Sequence, residues 1–296
     1  YIVRSVHELL QNEFGLADGL ADTTTWGEML KRHPEMKLPP LTDAADEKRT
    51  ISPDEPFVQI LDPATGTATF LVEVIDVIYS TLTAKWKKQG LNETQRLTAW
   101  NDYVPKDLLP RLHAYELMMA PYAIAHMKIG LKLAETGYHF GSDERARIYL
   151  TNALEPWQRQ LNLPDFEALA HEATAVNEIK RDKRFTVVIG NPPYSNFGQL
   201  NKIPFILGLL EDYKRGLEER KINLDDDFIK FVRFSQHVID RSGVGTLGFI
   251  TNNVFLDGIT HRKMRQALSE CFDYLAITAL HGSIQKREKT PYGKQH

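Results

Sequence analysis

Residues 187–194 read Val-Val-Ile-Gly-Asn-Pro-Pro-Tyr, a short apolar run that empties into an amide, two prolines and an aromatic ring. A run rich in β-branched residues predicts a buried parallel strand, and the prolines end its ladder because they offer no backbone N–H. Asn191 is then held at the carboxyl edge of the sheet, where open α/β folds bind their ligands. The chemistry these residues suit is recognition of an amino group on a flat ring. The Asn191 amide oxygen and the Pro192 carbonyl can each accept a hydrogen from an exocyclic amine, and Tyr194 can stack on the ring plane. Pro193 fixes the shape of the turn. The bland alternative is a rigid turn carrying a packed tyrosine.

A second segment lies far upstream. Phe57–Leu61 read as another buried strand, followed by Asp62-Pro63-Ala64-Thr65-Gly66-Thr67-Ala68-Thr69. The small residues allow backbone to approach a ligand closely, and a helical apolar pattern from Thr69 onward would bring that ligand to a helix N-terminus. Asp62, at the strand end, is placed to bind a cationic or hydroxyl group. A strand-turn-helix without a ligand is the plainer reading of the same residues.

The elements that must position these two segments follow an alternating order. Strands are predicted over 57–62, 110–116, 146–151 and 185–190, with helices over about 69–89, 118–135 and 165–181. Strands alternating with helical patterns imply βαβ units and a mostly parallel sheet. A helix over 228–239, a strand over 246–250, a helix over 260–271 and a last strand over 274–280 complete the series. Residues 1–14 read as a helical cap, and 33–56, rich in proline, aspartate and lysine without periodicity, as a loop. The expected division is a cap and linker over 1–56 and a catalytic domain over 57–296. Asp225–Asp227 are most simply an N-cap and helix-dipole partners. The polar stretch after Tyr194, with Asn196, Gly198 and Asn201, is expected to form a mobile loop over the ligand.

Composition bounds the class. At 296 residues, 42% hydrophobic and 25% charged, the chain can bury a full core and is not globally disordered. Neither an apolar run of membrane-spanning length nor a signal-peptide pattern is present, so no membrane role and a cytoplasmic location are expected. The single cysteine, Cys271, suits a reducing compartment and is expected to be a buried thiol. His113 and His126 stand alone on apolar elements without ligand spacing, so no metal site is expected. Met118 and Met119 read as helical core. The net charge of −3 is low for a protein gripping phosphates, although basic clusters occur at 85–88, 180–184, 262–265 and 286–289.

In the order Asp-Pro-x-x-Gly followed by Asn-Pro-Pro-Tyr, the chain resembles the S-adenosylmethionine-dependent amino-methyltransferases that act on adenine N6 in DNA. The segments Tyr1–Val6, Leu112–His126 and Ile148–Pro156 extend the likeness to the methyltransferase part of single-chain type ISP restriction-modification enzymes. This resemblance implies a Rossmann-like α/β methyltransferase fold, with S-adenosylmethionine as cofactor and double-stranded DNA as partner. It also implies further domains or subunits for target recognition, helicase and nuclease functions.

By the same resemblance, Asn191, Pro192, Pro193 and Tyr194 hold a flipped adenine, and Asp62, Pro63, Ala64, Thr65, Gly66 and Thr67 cradle the cofactor. Glu116 accepts from the ribose hydroxyls and Asn152 binds the cofactor's adenine. Glu116 follows Asp62 by far more than the roughly 20 residues of a simple dinucleotide fold, so a helical insertion is expected between them. One residue departs from the family pattern. Ala68 stands where the second glycine of Gly-x-Gly is expected, and at positive φ its methyl would be strained. The resemblance also reads the chain as a piece of a longer enzyme, since a final returning strand is expected beyond 280. Two alternatives stay open: an RNA-base or protein-glutamine methyltransferase, and a catalytically silent cofactor-binding scaffold.

Overall fold

The structure, a computed structural model, describes residues 1–42, 48–141, 144–158, 167–194, 201–219 and 224–279. In chain order the elements are α1 (Ile2–Asn12), α2 (Trp26–Arg32), β1 (Pro40–Thr42), β2 (Lys48–Thr50), β3 (Ile60–Asp62), α3 (Thr69–Lys88), α4 (Glu93–Tyr103) and β4 (Leu112–Glu116). They continue with α5 (Met119–Glu135), β5 (Arg147–Leu150), α6 (Glu167–Asp182), β6 (Val187–Gly190), α7 (Pro204–Lys214), α8 (Asp227–Ser242), β7 (Thr246–Phe249), α9 (Val254–Asp257) and α10 (Arg262–Cys271). The chain divides into two compact units, one of Tyr1–Leu210 with Asp225–Thr251 and one of Glu211–Leu224 with Asn252–His296. The sheet and every candidate site residue belong to the first.

The five central strands lie in the order β5-β4-β3-β6-β7, all parallel. From β3 the chain winds outward through β4 to β5, then returns to pair β6 on the other side of β3. That reversal falls between the carboxyl ends of β3 and β6, the switch point at which doubly wound sheets bind ligands. It is here that Asp62 and Asn191 emerge. The expected α/β class and parallel sheet are therefore present, with helices on both faces.

Side chains alternate across the pleat. Ile60, Leu112, Ala114, Ile148, Val187 and Ile189 join α1, α3 and α5 in one apolar core. The opposite face carries Leu61, His113, Tyr115 and Val188, all buried, against α6 and α8. His113 is packed there between the Tyr149 and Phe185 rings, with centroids at 6.3 and 5.2 Å, and burial holds its imidazole well below the ordinary value. It is a core residue, as its apolar surroundings in sequence suggested. Helix α1 seats directly on β7, where an added Cβ at Gly248 would lie 2.6 Å from Val6 Cγ2.

Several expectations fail. Residues 33–56 are not a plain loop but contain the antiparallel pair β1–β2, in register Pro40↔Thr50. Three-residue strands are too short to show alternation, so proline content dominated the reading. Helix α2 was not anticipated, although Thr25 and Glu28 form a reciprocal capping box, a signal present in the sequence. Residues 274–279 form no strand, and Tyr274 and Ile277 are exposed. A short apolar run permits a strand, but a strand exists only with a ladder partner.

Met118 and Met119 are not core, being 63% and 57% exposed at the start of α5, because the helix turns its Ala125, Ile129 and Leu133 face inward instead. Cys271 is half-buried rather than buried. Asp226 does occupy the N-cap of α8, while Asp227 forms a buried ion pair with Lys230 at 3.1 Å. Residues 195–200, 280–282, the 286–289 cluster and the polar end 283–296 lie outside the described residues. Among the described residues, no helix is long and apolar enough to cross a membrane.

Candidate active site at the sheet switch point

Strand β3 ends at Asp62 because Pro63 follows it, and the carboxylate is buried at that strand end. Its Oδ1 accepts from the Ala64 N–H at 3.1 Å. Burial, more than any other influence, raises the Asp62 carboxyl from 3.8 to about 7, with the nearby Glu116 charge acting in the same direction. The neighbouring strand accommodates it by lacking a side chain: a Cβ at Gly190 would lie 2.9 Å from Asp62 Oδ1 and 3.4 Å from the Phe249 ring. The glycine before Asn191 is thus what lets the β3 and β6 ends close on one another.

The loop after Asp62 is tied to β4. Thr65 N–H donates to the Tyr115 carbonyl at 3.1 Å, and Gly66 N–H donates to Glu116 Oε2 at 2.9 Å. Glu116 Oε1 accepts from Met118 N–H at 2.8 Å. A carboxylate has about four acceptor sites, so two backbone bonds fix its plane and leave one lone pair on each oxygen for a pair of hydroxyls. Gly66 has φ +54, and a Cβ there would meet nothing within 4 Å. The insertion expected between Asp62 and Glu116 is α4, together with the π-helical segment Val104–Leu108.

Ala68 has φ 63 and ψ 31, the only positive-φ residue other than glycine among those described, and it caps α3. The strain condition set by the sequence is met. The residue is nevertheless fully buried in the core, so the added methyl faces packed side chains rather than open space. Left-handed strain of about 1–2 kcal/mol is then largely offset by about 0.8 kcal/mol from burying one methyl, together with the reduced freedom of alanine in the unfolded chain. We expect Ala68→Gly to change stability by less than about 1 kcal/mol, as read by denaturant unfolding. A gain of several kcal/mol would show that strain dominates.

Asn191 follows β6 directly, as expected, and Ile250 N–H donates to the Gly190 carbonyl at 3.1 Å to hold the strand end. The Tyr194 hydroxyl donates to Asn191 Oδ1 and also lies 3.0 Å from the Ile250 carbonyl. The Tyr194 ring is 47% exposed and available for stacking. An amine approaching Asn191 must replace or share that hydroxyl contact. Pro192 is buried and Pro193 exposed in the same turn.

Asn152 sits past the end of β5, where Thr151 N–H donates to the Glu116 carbonyl at 2.8 Å. Its Oδ1 accepts from Leu154 N–H at 3.0 Å and its Nδ2 donates to Asn201 Oδ1 at 3.1 Å. Asn201 was expected on a mobile loop but is buried against Asn152, so it is a structural partner of the site. The structure therefore ties Gly66 to Glu116, holds Asp62 at the start of the same loop through Ala64, puts Asn191 across the switch point, and sets Asn152 past the end of β5.

The basic cluster at 180–184 turns inward. Arg184 donates to the Pro40 carbonyl at 2.7 Å, and Arg241 donates to the Lys180 and Arg181 carbonyls at 2.9 and 2.7 Å. These cations satisfy the carbonyls at the end of α6, where the helix dipole favours positive charge. From sequence the cluster at 180–184 reads as a solvated helix end rather than a phosphate clamp, and the structure instead commits Lys180 and Arg184 to backbone carbonyls.

A family profile described as Eco57I restriction-modification methylase matches residues 113–284. No curated protein matches the chain. Among solved structures, a DrdV–DNA complex seen by cryoEM is similar at a TM-score of 0.59 and 22% identity, over 92% of this chain and 21% of that one. The ATP-dependent Type ISP restriction-modification enzyme LlaBIII bound to DNA is similar at 0.59 and 25%, over 90% and 15%. A nuclease-deletion mutant of the Type ISP enzyme LlaGI, with a DNA substrate mimic, gives 0.55 and 20%, over 86% and 19%. This chain thus spans about a fifth or less of the length of these proteins.

Proposed function

Because the chain belongs to the Eco57I restriction-modification methylase family, we propose that it transfers a methyl group from S-adenosylmethionine to the N6 amine of an adenine flipped out of duplex DNA. The observation that carries the reading is the meeting of Asp62 and Gly190–Asn191 at the switch point between β3 and β6. A cofactor crevice and an amine-accepting amide open there onto the same edge.

The residues present fit the cofactor. Open space at the Cα of Gly66 admits a ligand against the backbone, the buried Asp62 carboxylate suits an ammonium, and Glu116 keeps acceptor capacity for a ribose diol. Pro63, Ala64, Thr65 and Thr67 supply the close backbone of that cradle, and Asn152 offers an amide to an adenine ring. When bound, S-adenosylmethionine supplies an electrophilic methyl on a sulfonium. The protein's task is then positioning, which alone carries a large share of such a barrier. Asn191 Oδ1 and the Pro192 carbonyl accept the two N6 hydrogens and stabilise the positive charge that develops on nitrogen. Tyr194 exchanges its hydroxyl contact for stacking on the base, which offsets the few kcal/mol of unstacking.

DNA is favoured over an RNA base or a glutamine amide by the restriction-modification family, and the partner DNA complexes of similar enzymes support it. Target recognition, motor and cleavage functions belong to other domains or subunits in this reading. The test is transfer of tritiated methyl from S-adenosylmethionine, by the protein within its full-length enzyme, to duplex DNA, RNA and protein in competition. Label in N6-methyladenine of the duplex is expected, and label confined to RNA or protein would overturn the acceptor.

Asp62 gives the reading a pH signature. Its carboxyl is raised in the cofactor-free fold, so its contribution to stability is fully present below pH about 4 and lost as pH rises through about 7. An ammonium ligand reverses the preference by favouring the carboxylate. Binding should therefore release a proton, and S-adenosylmethionine affinity should rise roughly fivefold from about pH 6 to about pH 7, over which the ligand's own amino group stays mostly protonated. Calorimetry in buffers of different ionisation enthalpy measures both. Affinity flat across this range would remove Asp62 from the ammonium site.

A further inference from the structure

Lys180, near the end of α6, takes no part in the chemistry above, yet its ammonium is committed to a single loop. Nζ donates to Thr151 Oγ1 at 3.0 Å, to the Asn152 carbonyl at 2.7 Å and to the Glu155 carbonyl at 3.0 Å. An ammonium has three N–H donors, and each has an acceptor here. The same Nζ stands 5.6 Å from the centroid of the buried Tyr115 ring, which faces it from β4. Burial lowers the ammonium from its ordinary value to about 8, so the cation is kept against a desolvation cost.

The acceptors sit where β5 has just ended. Beyond Thr151 the chain closes a turn through Glu155 N–H to the Asn152 carbonyl at 3.2 Å, so the Asn152 backbone is fixed by this turn and by the lysine. Its amide is then aimed by Leu154 N–H and by Asn201. Three oxygens converging on one point repel one another unless a multivalent donor stands between them. A methionine in that place would take this donor from Thr151 Oγ1 and the Glu155 carbonyl, leave the Asn152 carbonyl with Glu155 N–H alone, and loosen the turn.

We propose that Lys180 is a positioning residue for the cofactor's adenine, locking the Thr151–Glu155 turn so that Asn152 meets the ring in one orientation. The proposal rests on the assignment of Asn152 to that adenine. The lysine touches no reacting atom, so its loss should appear in cofactor binding and KM while kcat stays nearly constant.

The test is calorimetric titration of S-adenosylmethionine and of 5′-methylthioadenosine into the whole protein. The variants are Lys180→Met, Lys180→Arg, Asn152→Ala and the Lys180→Met/Asn152→Ala pair. Lys180→Met should weaken both ligands about tenfold, the scale of one lost hydrogen-bonded charge. Lys180→Arg should recover most of this, and the double variant should bind no more weakly than Asn152→Ala alone. Affinity within twofold of wild type in Lys180→Met, or losses that multiply in the double variant, would overturn the proposal while leaving the cofactor reading intact. A wild-type protein that binds neither ligand removes both. Should Lys180→Met fail to fold, Thr151→Val deletes one acceptor only; a two- to threefold loss supports the proposal and unchanged affinity refutes it.

Discussion

Replacing Asn191 by alanine should lower the rate of methyl transfer at least about a thousandfold, while S-adenosylmethionine affinity stays within about twofold. The amide oxygen is the side-chain acceptor that the Asn-Pro-Pro-Tyr turn offers to an N6 hydrogen once the Tyr194 hydroxyl, which bonds it in the cofactor-free fold, leaves for stacking. Its removal deletes a preorganised acceptor at the atom where charge develops, and such groups are worth about 10²–10³ in rate. Losing the orientation of the amine adds to this. Cofactor binding is spared because the Asp62–Gly66 cradle is held by β4 through Tyr115 and Glu116, not by Asn191. Single-turnover methylation by the full-length enzyme, with calorimetric cofactor binding alongside, separates the two effects. Transfer retained within tenfold would sink the proposed role of the amide.

The second large effect belongs to Glu116. Alanine there deletes the acceptor for Gly66 N–H at 2.9 Å and for Met118 N–H at 2.8 Å, and with them the acceptors assigned to the ribose. Two charge-assisted bonds and the ligand contacts go together, so S-adenosylmethionine affinity should fall about a hundredfold. The fold should lose about 1–3 kcal/mol, because Gly66 and Met118 keep donors that water must reach. Glu116→Gln separates the roles: its amide oxygen still serves one backbone N–H, so stability recovers more than affinity does. Calorimetry and urea unfolding of the same preparations read both quantities. Equal affinity in wild type and Glu116→Ala would exclude the carboxylate from the cofactor site.

Both predictions draw on residues visible in the sequence, and the reason is physical. A β-branched run stopped by proline fixes where a strand ends, so Asp62 and Asn191 could be put at strand ends from local chemistry alone. The alternation of strands and helices then fixed their edge, because βαβ connections bring all strand ends of a parallel sheet to one side. Local reasoning failed where a partner decides the outcome. Residues 274–279 have a strand-like apolar run and no ladder, and Pro40–Thr42 with Lys48–Thr50 have a ladder and no apolar run. Met118 and Met119 carry apolar side chains on the outward start of α5.

What the sequence by itself determined was the class of fold, the family resemblance and the two chemical segments, since each is written in consecutive residues. The tertiary structure alone decided that Gly190 leaves room for the Asp62 carboxylate. It likewise decided that Glu116 spends two lone pairs on backbone, that Ala68 buries the methyl its backbone strains, and that Lys180 and Asn201 converge on Asn152. These contacts join residues many positions apart on different strands and helices. Their energies depend on burial and on distances of about 3 Å, which no local pattern of residue types encodes.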